Sequence, residues 1–183
     1  DYGYASESCC LWGILDVNDG TLIIYRELYQ KNLTGVELAS IITDMEQEDP
    51  FSVNGVLDTA AWAKTGTTGP TVGESLVRAG HKLRRADKNR IQGKIQIHEY
   101  LKVRESGRPK LQIFNTCPNL IRELQSIPLS KKNPEDVDTH ASDHAYDALR
   151  YMIMSRPRME SPLERIRGLK REIFKPSDST FGY

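Results

Sequence analysis

The chain has 183 residues, 38% hydrophobic and 27% charged, with 25 Lys and Arg balancing 25 Asp and Glu. This is the makeup of one soluble globular domain that can bury a single core and needs neither disulfides nor a structural metal to be stable. No run approaches 18 apolar residues and no charged-then-apolar leader opens the sequence, so neither a membrane span nor secretion is expected.

In chain order, Cys9 to Asp16 is a short, mostly apolar run; Asn18-Asp19-Gly20 supplies turn chemistry and Thr21 to Tyr25 follows, which predicts a β-hairpin. Thr34 and Glu37 form a capping box, and Leu38, Ile41, Ile42 and Met45 recur at helical spacing, which predicts an amphipathic helix ending near Asp49-Pro50. Val53 to Leu57 reads as a strand ending in Asp58, and Gly66 to Pro70 as a flexible loop. Val72 to Ala79 reads as a helix closed by Gly80. A basic helix is expected over Arg90 to Val103, a strand over Lys110 to Phe114, and a helix from Pro118 to Ile127. After a polar loop around Lys131 to Pro134, Ser142 is a candidate N-cap for a helix through Met154, and residues 176 to 183 read as a loose tail. The interleaving of strands and helices implies an α/β fold with one mixed sheet. Cys9, Cys10 and Cys117 build neither a disulfide framework nor a thiolate zinc site and suit a reducing compartment.

The zero net charge hides an asymmetry. Residues 1 to 60 carry eleven acidic and two basic side chains, whereas residues 78 to 110 carry eleven basic and three acidic. A basic run alone is most often a solvated face; paired with an acidic cluster it suits an enzyme that holds cations with carboxylates and a polyanion with Lys and Arg. Lys64, Arg84, Arg85, Lys88, Arg90 and Lys94 are the candidate DNA contacts.

Four carboxylates stand out by position. Asp1 precedes Gly3 at the expected end of a first strand, Asp58 ends the Val53 to Leu57 strand, and Asp143 and Asp147 lie four apart on one face of the last helix. Such groups from separate elements can converge on hard cations such as Mg²⁺, which take oxygen ligands and keep several waters. Two ions about 3.5 to 4 Å apart can activate water and stabilise the leaving oxygen of a phosphodiester. Singly, each Asp is more readily a turn former or helix-end charge than a ligand, with Asp147 the hardest to read so because, one turn further in, it gains little from the dipole. His144 is equally a ligand or a helix cap. Trp62 and Lys64 could wall a substrate channel, although Trp is more often core, and Tyr146 and Tyr151 read as packing residues.

The segments Asp1-Tyr2-Gly3-Tyr4, Tyr25-Arg26-Glu27-Leu28-Tyr29, Val56-Leu57-Asp58-Thr59-Ala60-Ala61-Trp62 and Ser142-Asp143-His144-Ala145-Tyr146-Asp147-Ala148-Leu149-Arg150-Tyr151 together resemble the C-terminal nuclease domain of large terminase subunits from tailed bacteriophages and prophages. The last segment is the most specific. The resemblance covers residues 1 to 155 and leaves 156 to 183 as a basic, proline-containing extension. It implies an RNase H-like fold with a five-stranded central sheet flanked by helices, preceded by a full strand leading into the first aspartate. It also implies Mg²⁺ or Mn²⁺, with two ions, held by Asp1, Asp58, Asp143 and Asp147, and catalysis by Asp1, Asp58, Asp147 and His144; His-x-x-Asp spacing favours Asp147 over Asp143.

The implied activity is endonucleolytic cutting of concatemeric double-stranded DNA at the start and end of genome packaging, in the host bacterial cytoplasm and transiently at the procapsid portal. The implied partners are DNA, an N-terminal ATPase domain, the small terminase subunit and the portal, with the isolated domain a monomer. The chain opens without methionine at a candidate catalytic position and holds no Gly-x-x-x-x-Gly-Lys-Ser/Thr loop, so it is expected to be the nuclease part of something longer. Two other readings remain: a DNA- or portal-docking module served by the basic tail, and another RNase H-like enzyme such as a resolvase or integrase.

Overall fold

β1 (Ser8–Leu15) and β2 (Leu22–Gln30) pair antiparallel as the hairpin signal predicts, with Cys9 opposite Tyr29 and a bulge between Trp12 and Gly13. The turn works because Gly20 takes φ of 75°, while the Asp16 and Asp19 carboxylates accept hydrogen bonds from the backbone N–H groups of Asn18 and Thr21. The structure, a computed structural model, describes residues 1–50, 52–64, 69–130, 135–138 and 142–156. Most of the glycine loop, the 131–134 loop and the tail from 157 onward lie outside the described residues, and so does the docking reading built on that tail.

α1 (Gly35–Glu46) starts at the complete Thr34/Glu37 capping box. It leads to β3 (Asn54–Leu57), a 3-10 turn over Thr59–Trp62, and α2 (Val72–Arg78), which opens with a second box from Thr71 and Glu74. β4 (Lys82–Arg85) lies parallel to β3 and was not predicted from the sequence. Then come α3 (Arg90–Leu101), β5 (Leu111–Ile113) parallel to β2, α4 (Pro118–Ser126) with proline in its first turn, and α5 (His144–Ser155). No helix among the described residues is long and apolar enough to cross a membrane.

The single five-stranded sheet is corrected: the described strands form two sheets, ordered β1-β2-β5 and β3-β4. The reason is that β1 and β3 are not hydrogen-bonded to each other. A pocket of about 1000 Å³ is lined by residues of both strands, Leu11, Gly13, Val56 and Leu57 among them, and by Ala148 and Met152 from α5. Asp1 lies at the outer edge of β1, where its amino group donates to the Cys9 carbonyl at 2.8 Å and its carbonyl accepts from the Cys9 N–H at 3.0 Å.

Side-chain alternation on β1 builds two cores. Cys9 and Leu11 face a cluster with Ile24, Ile97, Leu120, Leu149 and Ile153, covered by α3, α4 and α5. Cys10 and Trp12 face the other way, with Leu28, Leu38, Ile42, Leu57 and Leu76 under α1 and α2. α5 packs on both β1 and β3, so one helix bridges the two sheets. That placement creates the candidate site.

Candidate active site

The position of α5 is set from outside the helix. Glu123 on α4 is 1% exposed, and one of its oxygens accepts the backbone N–H groups of Ala145 and Tyr146 at 2.8 and 3.0 Å. Its other oxygen accepts the hydroxyls of Tyr29 and Ser142 at 2.7 and 3.1 Å. A carboxylate at a helix N-terminus satisfies orphan donors and favours the dipole. The predicted Ser142 cap is therefore corrected: Asp143 holds the N-cap position with no side-chain cap bond, and Ser142 turns to Glu123 and Tyr29.

Asp143 and His144 emerge at this end. His144 Nδ1 lies 3.1 Å from the Asp1 carboxylate and Nε2 lies 3.4 Å from Glu7, so the imidazole bridges two acids. Asp143 has Arg90 Nη2 at 3.6 Å, too long for a hydrogen bond. Burial and then the neighbouring Asp147 charge push its carboxyl above the usual range, against the pull of Arg90.

Asp147 is engaged differently. Arg150 grips both of its oxygens, at 3.0 and 2.9 Å, and Arg90 Nη1 adds a contact at 3.2 Å. Arg150 is 2% exposed and stacks on the Tyr151 ring at 4.5 Å, while Arg90 also holds Asp136 at 3.1 Å. Asp147 is thus the centre of a buried ion-pair network. Asp58, at the end of β3, is paired instead with Lys88 Nζ at 2.9 Å. Burial would raise its carboxyl, but the Lys88 contact and the Ala60 N–H outweigh burial and hold it below the ordinary range.

Among the described residues, no three His, Cys, Asp or Glu side chains stand close enough to enclose one ion. Mg²⁺-type sites need only one or two carboxylates and keep waters on their open positions. The partly exposed oxygens of Asp1, Asp58 and Asp143, with side chains 15%, 12% and 15% exposed, fit such an ion chemically.

No protein-family model and no curated protein sequence matches the chain. Solved structures do. The P22 large terminase nuclease domain matches with a TM-score of 0.65 at 14% identity, over 84% of this chain and 76% of that one. The large terminase nuclease domain from bacteriophage SPP1, solved with bound Mn, matches with a TM-score of 0.53 at 15% identity, over 82% and 78%. The large terminase of a thermophilic bacteriophage, in complex with ADP, matches with a TM-score of 0.68 at 18% identity, over 85% of this chain and 38% of that one. This chain has the fold of the large terminase nuclease domains. It spans well under half of the thermophilic phage's large terminase.

Within the terminase-type fold, the candidate DNA contacts separate by environment. Lys64 is exposed after the 3-10 turn and Lys94 is half-buried one turn beyond Arg90. Arg84 donates to the Ser155 carbonyl, and Arg85 stacks over the Trp62 ring at 5.4 Å. Lys88 and Arg90 turn inward to the carboxylates. Sequence reasoning missed Glu7, Glu123, Asp136 and Arg150. Glu7, Glu123 and Asp136 stand in no local motif and act on the site through partners brought up by the fold, whereas Arg150 lies within the last quoted segment, one helical turn from Asp147.

Proposed function

We propose that this chain is the metal-dependent DNA endonuclease domain of a genome-packaging terminase. One observation carries the reading: the Asp1 carboxylate at the β1 edge meets His144 at the start of α5, next to Asp143, while a second acid, Asp58, ends β3, in a fold shared with terminase nuclease domains, one of which was solved with bound Mn.

Asp1, Asp58 and Asp143 are the groups that would hold Mg²⁺ or Mn²⁺, two ions in our reading. Such an ion, when bound, polarises a phosphodiester and makes water a nucleophile near neutral pH. His144, with one ring nitrogen on Asp1 and the other on Glu7, orients the Asp1 carboxylate and can take up a proton there. Asp147 serves the site through Arg90, whose guanidinium ties α5 to α3 and to Asp136. Lys64, Arg84, Arg85 and Lys94 supply positive charge for backbone phosphates, which fixes the duplex without reading its sequence. The substrate is concatemeric double-stranded DNA, cut at both ends of packaging. An ATPase domain, the small subunit and the portal are the partners, the host cytoplasm is the setting, and the isolated domain is a monomer.

Plasmid cleavage tests this. Wild type should nick and linearise DNA with Mg²⁺ or Mn²⁺ and not with EDTA, and Asp58→Ala should abolish cutting while DNA binding persists. Cutting by Asp58→Ala at the wild-type rate would overturn the site. A preference for branched over linear duplex would favour a resolvase instead.

A further inference from the structure

Lys88 sits in the turn that joins β4 to α3, and the backbone on both sides of it is fixed. The Ala86 N–H donates to the Leu57 carbonyl at 2.9 Å, which continues the β3-β4 ladder. On the other side, Asn89 caps α3 by accepting the Gln92 N–H at 3.0 Å, and the Asn89 N–H donates to Asp87 at 2.9 Å. This pinned turn aims the ammonium at Asp58, 2.9 Å away.

The two cations contributed by this segment are not equivalent. Arg90 is held by Asp136, Asp143 and Asp147 together and is 26% exposed. Lys88 has one carboxylate partner among the described residues, and its side chain is 49% exposed against 12% for Asp58. The pair therefore joins a solvated, flexible cation to an enclosed acid. Lysine suits this use, because its ammonium is a compact point charge on a four-carbon stem that can swing while the backbone stays still.

A divalent ion and this ammonium compete for the same carboxylate oxygens, and two cations side by side would repel. Phosphate is the natural next partner for a lysine displaced at a DNA-binding edge. We propose that Lys88 is an internal counter-ion of the site: it holds Asp58 until a divalent ion takes the carboxylate, and then turns to a phosphate oxygen of the DNA. Metal and DNA binding are thereby coupled through one side chain, and by linkage each strengthens the other. The inference rests on the reading of Asp58 as a metal ligand.

The test is a Mn²⁺ titration followed by the resonance of free Mn²⁺, for wild type, Lys88→Met and Lys88→Arg, with and without a short duplex whose own uptake is subtracted. Without DNA, Lys88→Met should bind Mn²⁺ about two- to fivefold more tightly than wild type, the range set by a partly exposed ion pair. Lys88→Arg should stay at the wild-type value. Duplex should raise the affinity of wild type severalfold and that of Lys88→Met by less. In EDTA, Lys88→Met should melt below wild type, and Mn²⁺ should raise its melting temperature by the larger increment. Equal or weaker Mn²⁺ binding by Lys88→Met in the absence of DNA overturns the counter-ion role alone. No Mn²⁺ binding by either protein removes the metal site and this inference together.

Discussion

The Glu123 carboxylate on α4 accepts the Ala145 backbone N–H of α5 at 2.8 Å, so one helix caps another across 22 positions of chain. Four donors converge on this 1% exposed group, and its loss leaves the Ala145 and Tyr146 N–H groups without a partner and the Tyr29 and Ser142 hydroxyls with only each other. Glu123→Ala should therefore cost about 2 to 4 kcal/mol, combining a lost cap with buried unsatisfied donors. Glu123→Gln, which keeps an acceptor, should cost roughly half as much. Urea denaturation of both variants checks this, and equal losses would show that the charge, not the acceptor, matters.

Asp147 and Asp143 should part company under mutation. Removing Asp147 leaves Arg150, 2% exposed, without its counter-charge, and breaking a buried pair this way costs about 3 to 5 kcal/mol. Asp143 makes one long contact to Arg90 and anchors nothing else of comparable weight. Asp147→Ala should unfold early in urea, whereas Asp143→Ala should keep the wild-type midpoint and lose Mn²⁺ affinity. If Asp143→Ala binds Mn²⁺ unchanged while a folded Asp147→Asn does not, the ranking reverses to the one that His-x-x-Asp spacing suggests.

The hairpin, both helices that begin at Thr-x-x-Glu and the Pro118 helix start are legible because each is decided within a few residues of chain. β4 is not. Lys82-Leu83-Arg84-Arg85 offers one apolar residue, and its strand character comes from parallel pairing with β3, residue for residue from Asn54 and Lys82 onward. The site shows the same division. Asp58 and the Asp143-to-Asp147 segment are visible as acids at element ends, and the i,i+3 spacing of Asp147 and Arg150 is a local pair, but nothing local says that Glu7 meets His144 or that Lys88 turns inward. Ser142 is a good cap by type and loses that place because a buried acid from α4 is already there.

Two site carboxylates should give opposite pH signatures. Asp58 is held below its ordinary value because Lys88 outweighs burial, so its stabilisation is present above the unfolded carboxyl pKa and is lost as pH falls through the lower folded value. Asp143 is raised by burial and by Asp147, so folding is favoured below the unfolded pKa and that advantage is lost as pH rises through the higher folded value. Between pH about 7 and about 3, across the carboxylate range, the stability of wild type relative to Asp58→Asn should shrink. Relative to Asp143→Asn it should grow. Urea midpoints at four or five pH values decide it, and parallel trends would contradict both assignments.

Gly93 lies on α3 where the stem of Arg150 crosses it. A Cβ built there would stand 2.7 Å from Arg150 Cδ and closer still to Cγ, inside any real contact distance. These atoms are the buried base of a side chain whose head is fixed on Asp147, so it cannot move aside without loosening that pair. Alanine in a helix interior ordinarily gains about 1 kcal/mol over glycine. Here overpacking of about 1 to 3 kcal/mol opposes that gain, so Gly93→Ala should be net neutral to destabilising, by up to about 2 kcal/mol. A double-mutant cycle with Asp147→Asn checks the route: the cost of Gly93→Ala should fall once Arg150 is freed from Asp147. A cost unchanged in the Asp147→Asn background would mean that the helix-to-helix approach itself, and not the guanidinium anchor, sets the spacing between α3 and α5.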